Sequence, residues 1–135
     1  GAAGGDARAA HALGTLLYNA PERLRGGSVS KAGDVWSLGC ILGELAAHVM
    51  PFHGESSPTV IIERLRDGHG PELLPREPSD AHVDGALRGL PLPLWGRYRH
   101  LASRCLEADP MRRPCAGEVV NALVQLQRDL AAAST

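Results

Sequence analysis

Three short segments of this chain carry side chains whose types and order could do chemistry. They read Gly-Thr-Leu-Leu-Tyr-Asn-Ala-Pro-Glu at residues 14–22, Asp-Val-Trp-Ser-Leu-Gly at 34–39 and Asp-Pro-Met-Arg-Arg-Pro at 109–114. Their hydroxyl, carboxylate and guanidinium groups suit hydrogen bonding and ion pairing. Other chemistries lack support, because the six histidines follow no metal pattern such as His-Glu-x-x-His and no Ser/His/Asp arrangement has a supporting local context.

The order and separation of these segments resemble the C-terminal lobe of a eukaryotic-type protein kinase, from the end of the activation segment onward. In that family the first segment receives the substrate residue that follows the phosphoacceptor. The resemblance therefore implies a substrate-binding role for Gly14, Thr15 and Tyr18. Thr15 matches the threonine that contacts the catalytic aspartate and lysine in Ser/Thr kinases, and its hydroxyl can donate and accept hydrogen bonds together. Ser/Thr specificity is therefore favoured over Tyr specificity.

The same resemblance implies structural roles for several residues. Glu22 and Arg113 match a buried ion pair, in which a planar guanidinium meets a carboxylate through two parallel hydrogen bonds. Asp34 matches the aspartate at the start of the central hydrophobic helix, which accepts backbone N–H bonds from the catalytic loop. Without that loop we expect it to serve only its own helix, as the N-cap or as a first-turn acid. The remaining residues with implied structural roles are Ala20, Pro21, Trp36 and Gly39.

The motifs that carry kinase chemistry are absent from this sequence. No glycine-rich loop, strand lysine, His-Arg-Asp catalytic loop or Asp-Phe-Gly precedes the Ala-Pro-Glu of residues 20–22. Phosphoryl transfer needs positioned phosphates, metal ions and a catalytic base. The resemblance thus implies ATP and Mg²⁺ as cofactors of the complete kinase, none of them bound by these residues. We predict no catalytic, cofactor-binding or metal-binding residue in this chain and no activity of the chain alone.

Two functions fit the sequence. The first is part of a Ser/Thr protein kinase domain, which supplies the substrate loop and a C-lobe scaffold for ATP-dependent phosphoryl transfer to protein Ser/Thr. The alternative is a truncated kinase-like or pseudokinase interaction module without catalysis, whose exposed apolar surface would favour association. A partial gene product with no independent role is a third possibility. The sequence upstream of Gly1 discriminates among them.

The elements that must position these residues are helices. Apolar periodicity and Pro/Gly punctuation predict an all-α, kinase-like C-lobe helical subdomain, an incomplete kinase fold without strands. Helices are predicted over residues 21–25, 34–47, 58–67, 94–108 and 116–131. Gly39 and Gly43 lie on one face of the second helix and would let another backbone approach closely. Residues 115–118 have the spacing of a capping box that lacks its hydroxyl.

The predicted connection over residues 68–93 is rich in Pro and Gly. A helical turn is predicted near residues 84–88, and the stretch over residues 76–93 is longer than the link that many relatives use before the next helix. We expect a solvated surface loop, with a partner-docking insert as the alternative.

Length and composition bound the remaining questions. A chain of 135 residues fits one domain, predicted as a flexible activation-segment remnant over 1–14, a C-lobe portion over 15–132 and a tail over 133–135. The net charge of −1 favours neither nucleic acid nor membrane as a partner. The implied partners are a protein substrate and the N-terminal lobe and catalytic loop of the parent chain. Three cysteines without paired spacing indicate an intracellular, cytoplasmic location.

Overall fold

The structure, a computed structural model, describes residues 16–72, 74–77 and 87–134. The described residues contain helices and no strand, so the all-α prediction is confirmed. Residues 16 and 17 are helical at the edge of the described range. The elements that lie wholly within it are α1 (Pro21–Leu24), α2 (Lys31–Ala47), α3 (Pro58–Arg66), α4 (Leu92–Cys105), a 3-10 turn (Pro110–Arg112) and α5 (Ala116–Ala133).

Helix α2 begins at Lys31, three residues before its predicted start, because Ser30 provides the N-cap. The Ser30 side chain accepts a hydrogen bond from the Gly33 N–H at 3.0 Å. Asp34 therefore lies in the first turn, so that of the two roles expected for it, N-cap or first-turn acid, the structure shows the second. At the other end His48 adopts a left-handed backbone with φ 56° and its N–H donates to the Glu44 carbonyl.

The other helices follow their local signals with smaller departures. Helix α3 has Ser57 as its N-cap and Pro58 as its first residue. Helix α4 ends at Cys105 rather than near residue 108, because Asp109 caps the 3-10 turn that follows and accepts from the Met111 N–H at 2.9 Å. Helix α5 starts at the predicted residue and extends to Ala133, two residues beyond its predicted end.

Helix α2 is the centre of the packing because both of its sides contribute to a core. One cluster joins α2 to α4 and α5, with Trp95 as its largest fully buried member. The second cluster joins α2 to α3 and to the residues that precede α1, with Trp36 fully buried within it. A helix that is buried on several sides must be apolar on several sides, which explains the composition of α2.

Close packing of α2 against α4 depends on Gly39. A Cβ atom at this position would lie 2.7 Å from the Cβ of Cys105, a separation that real side chains do not reach. Gly43, the second glycine predicted to allow close approach, would place its Cβ with no atom of the described residues within 4 Å. The prediction of close approach is therefore right for Gly39 and wrong for Gly43.

The first part of the Pro/Gly-rich connection, which precedes the stretch over residues 76–93 expected to be a solvated loop, is held against α4. The Trp95 indole N–H donates to the Pro75 carbonyl at 3.0 Å and Arg99 Nε donates to the Leu74 carbonyl at 2.7 Å. Leu74 is itself buried in the first cluster. The predicted turn near residues 84–88 lies largely outside the described residues, and a turn is found at residues 87–90.

Candidate functional site

Tyr18 is the member of the predicted substrate-binding set that the structure describes. Its hydroxyl donates to Glu44 Oε2 at 2.6 Å, and its backbone carbonyl accepts from Ser37 Oγ at 2.7 Å. Burial, the hydrogen bond to Glu44 and the charge of that carboxylate together raise the pKa of Tyr18 to about 12. The phenol is therefore a stable hydrogen-bond donor at neutral pH. Gly14 and Thr15 lie outside the described residues.

The residues on either side of Tyr18 are tied to the core. Leu16 and Leu17 are buried in the cluster around Trp36, and Ala20 and Pro21 are buried just before and at the start of α1. This segment therefore enters α1 with its apolar side chains already packed. Its route is fixed by the core as well as by the polar contacts of Tyr18.

The structure brings Glu22 and Arg113 together, although they are distant in sequence. Arg113 Nη1 lies 2.6 Å from Glu22 Oε1, and Nη2 lies 2.8 Å from Oε2, which is the bidentate arrangement of a guanidinium on a carboxylate. The Arg113 side chain is 0% exposed and that of Glu22 is 22% exposed. Burial alone would raise the pKa of Glu22, but the hydrogen bonds and charge of Arg113 hold it below its ordinary value.

Arg113 also donates hydrogen bonds to three backbone carbonyls, in addition to its ion pair. Its Nε donates to the Glu107 carbonyl at 2.8 Å, Nη1 to the Ala32 carbonyl at 2.9 Å and Nη2 to the Ala108 carbonyl at 3.4 Å. The guanidinium carbon also lies 5.1 Å from the centre of the Trp36 ring. These acceptors were not predicted, because every residue has a backbone carbonyl and the sequence does not show which of them a side chain will contact. One side chain thus joins α1, α2 and the turn before α5.

Asp34 occupies a contrasting environment. Its side chain is exposed and makes no hydrogen bond or ion pair within the part of the chain that the structure describes. It lines a cavity of about 400 Å³, which opens between the start of α2 and the start of α5. The other lining residues are Lys31, Ala32, Val35, Leu38, Arg113, Pro114, Cys115 and Ala116. The cavity is therefore mainly apolar, with two charged groups from α2 at its edge.

Two apolar stripes continue from this cavity along the helices. On α2, Leu38 is followed at helical spacing by Ile41 and by Leu45, which is 61% exposed. On α5, Ala116 is followed by Val120, which is 56% exposed, and by Val124. We call these stripes and the cavity between their starts the open face. Its exposed aliphatic side chains are those of Ile41, Leu45, Val120 and Val124.

The described residues hold no group of three or more His, Cys, Asp or Glu side chains placed to bind a metal ion. Within the same ranges, no helix has both the length and the apolar character that crossing a membrane requires. The three cysteines are free thiols, with Cys40 and Cys105 buried and Cys115 exposed. Desolvation raises the pKa of Cys40 to about 12 and that of Cys105 to about 11.

The helical fold of the described residues is consistent with a fragment of a kinase C-lobe, and comparison with known proteins shows the family. Residues 2–124 match the family model for the protein kinase domain, so this chain belongs to the protein kinase domain family. It is 39% identical over 105 residues to the MAP kinase kinase skh1/pek1 of Schizosaccharomyces pombe, a match that covers 75% of this chain and 25% of that relative.

Other relatives include a second kinase of the mitogen-activated protein kinase kinase type and a bacterial serine/threonine-protein kinase. The chain is 33% identical over 108 residues to mitogen-activated protein kinase kinase 5 of Leishmania mexicana, covering 80% of this chain and 19% of the relative. It is 35% identical over 101 residues to the serine/threonine-protein kinase PknB of Mycobacterium tuberculosis. That match covers 74% of this chain and 16% of the relative. The chain therefore spans a quarter or less of the length of these relatives.

Proposed function

We propose that this chain is part of the catalytic domain of a Ser/Thr protein kinase, to which it contributes the substrate loop and the helical scaffold. The bidentate contact between Glu22 and Arg113 carries this proposal, because it fixes the end of the loop segment to the scaffold. The similarity to PknB, a serine/threonine-protein kinase by name, supports the Ser/Thr assignment. In this role Gly14, Thr15 and Tyr18 form the surface that receives the protein substrate.

ATP and Mg²⁺ belong to the proposed reaction of the complete kinase. When bound, they supply the transferred phosphoryl group and the charge that neutralises it. The motifs that hold them in kinases are not in this sequence, so we propose that other parts of the complete kinase bind them. The Thr15 hydroxyl, able to donate and accept, would help to hold the catalytic base that comes from the same missing part.

The open face is the proposed contact for the rest of the parent chain. Asp34 has a carboxylate that nothing in the described part of the chain engages, and carboxylates readily accept backbone N–H bonds. Burial of the exposed aliphatic side chains of Leu45 and Val120 away from water would be favourable in free energy. Both features support docking of the catalytic loop, and of the parent-chain segments next to it, on the open face. We propose a cytoplasmic location for the whole protein, which the free thiols support.

The test compares the complete parent polypeptide with this chain alone. Both are incubated with casein as a protein substrate, ATP and Mg²⁺, and phosphoserine and phosphothreonine are measured. The complete polypeptide is expected to transfer phosphate to Ser or Thr, and this chain is expected to transfer none. Within the complete polypeptide, Thr15→Val should lower kcat by at least about a hundredfold, whereas Thr59→Val on the exposed side of α3 should leave it unchanged.

A non-catalytic interaction module is the second candidate, and the open face is the observation that favours it. Such a module would use the same aliphatic stripes to bind a partner protein. A complete polypeptide that is folded yet transfers no phosphate to any protein would reject the kinase proposal and leave this one. Activity that Thr15→Val abolishes would reject the module instead.

A further inference from the structure

Helix α2 holds Tyr18 at two points. The Ser37 hydroxyl donates to the backbone carbonyl of Tyr18 at 2.7 Å, and the Tyr18 hydroxyl donates to the Glu44 carboxylate at 2.6 Å. Ser37 and Glu44 are seven residues apart in α2, which places them two turns and about 10 Å apart on one face of the helix. The tyrosine therefore lies lengthwise on α2, with its backbone end bound by one residue and its phenol end by the other.

The backbone contact depends on how Ser37 uses its single proton. A serine inside a helix commonly donates to the carbonyl four residues before it, and Ser37 Oγ lies 3.3 Å from the Gly33 carbonyl. The Tyr18 carbonyl is closer, at 2.7 Å, so it is the principal acceptor. The Ser37 hydroxyl thus donates its hydrogen bond mainly to a segment outside its own helix. No other hydrogen bond from α2 reaches the backbone of Tyr18 among the described residues.

We infer that Ser37 is a positioning residue for the protein substrate, an inference that rests on the proposed kinase function. The segment from Tyr18 to Glu22 is fixed at its far end by the ion pair between Glu22 and Arg113. Ser37 fixes its backbone next to the proposed substrate-binding residues. The Glu44 contact fixes only the ring of Tyr18, and a ring can stay in place while its backbone moves. Ser37 thereby sets the backbone path along which the substrate lies.

The effect of removing this hydroxyl should be selective. The Ser37→Ala change deletes one oxygen and leaves the Tyr18 carbonyl without its donor, so the loop gains freedom without loss of the apolar core. We expect the KM for the protein substrate to rise about two- to tenfold, the worth of one hydrogen bond. The KM for ATP should not change, because in the proposed enzyme ATP is held by other parts. Ser37→Thr keeps the hydroxyl and should restore most of the lost affinity.

The experiment uses the complete kinase that contains this chain, with Ser37→Ala, Ser37→Thr and the matched control Ser103→Ala on α4. For each, kcat, the KM for casein, the KM for ATP and the melting temperature are measured. A rise in the KM for casein in Ser37→Ala only, with the other three quantities equal to those of the control, supports the inference. An unchanged KM for casein overturns it, and so does a parallel change in all quantities, which marks a merely structural role. Absence of phosphotransfer in the unmutated complete polypeptide rejects the proposed function itself, and the inference with it.

Discussion

Two regions beside α2 differ in how many of their groups make contacts within the chain. Around Arg113 the guanidinium contacts a carboxylate, three backbone carbonyls and the face of Trp36. On the open face, Asp34 has no polar contact in the described part of the chain, and Leu45 is 61% exposed. In the first region all three guanidinium nitrogens have hydrogen-bond acceptors within this chain. The second has the composition of a core without a covering layer, which suits a piece of a larger domain.

Arg113→Ala tests the completed region and should have the largest effect. The change strands the Glu22 carboxylate, which is 22% exposed, and leaves several carbonyls without donors. The free energy of unfolding should fall by about 3–5 kcal/mol. Chemical denaturation measures it, with Arg112→Ala on the exposed neighbouring arginine as the control. Equal stabilities of the two variants would contradict the central role of Arg113.

Leu45→Glu tests the open face by comparing two contexts. In the isolated chain the glutamate faces water, so stability should change by less than about 0.5 kcal/mol. In the complete kinase the same charge would be buried by the parent chain, and stability should fall by about 2–4 kcal/mol. Val60→Glu, at an exposed position of α3, is the control and should be near neutral in both. The same small effect of Leu45→Glu in both contexts would show that nothing covers this face.

Gly39→Ala and Gly43→Ala compare the packed and open sides of the same helix. The added methyl at Gly39 would lie 2.7 Å from the Cys105 Cβ, so α2 and α4 must separate, at a cost of about 1–3 kcal/mol. Gly43 has nothing within 4 Å, and alanine there should stabilise the chain by about 0.5–1 kcal/mol through its helix propensity. Thermal melts of both variants show whether each substitution raises or lowers stability. Opposite signs are expected, and two destabilised variants would place a neighbour beside Gly43.

Cys115→Ser should give the smallest effect. Cys115 is the N-cap of α5, and its N–H already donates to Glu118 Oε1 at 3.2 Å. A serine hydroxyl accepts from the helix N–H groups better than a thiol, so stability should rise by about 0.5–1 kcal/mol. A thermal melt that shows no gain would mean that the thiol caps α5 as well as a hydroxyl does.

The sequence predicted features that depend on local signals and on family pattern. The type and order of the helices, the start of α5 and the apolar character of α2 all followed from spacing and caps. The contact between Glu22 and Arg113 came from the resemblance, since nothing local joins residues so far apart. The N-cap role of Ser30 was missed, because Asp34 offered a competing signal of the same kind.

The features that sequence reasoning missed depend on tertiary placement. The hydrogen bonds of Ser37 and Glu44 to Tyr18 form only when α2 packs against the segment before α1. The docking of residues 74 and 75 on α4 requires long-range hydrogen bonds from Trp95 and Arg99 to backbone carbonyls. A backbone carbonyl looks the same in every residue type, so composition could not distinguish a docked loop from a solvated one.

Amide hydrogen exchange of α2 and α5 is the most direct test of the central claim that this chain is one half of a kinase domain. Exchange is compared between the isolated chain and the complete kinase. Amides of α2 and α5 along the open face should exchange more slowly in the complete kinase, because the parent chain covers them, whereas those of the 3-10 turn beside Arg113 should change little. Equal exchange of the open face in both proteins would contradict the claim and favour a self-sufficient module.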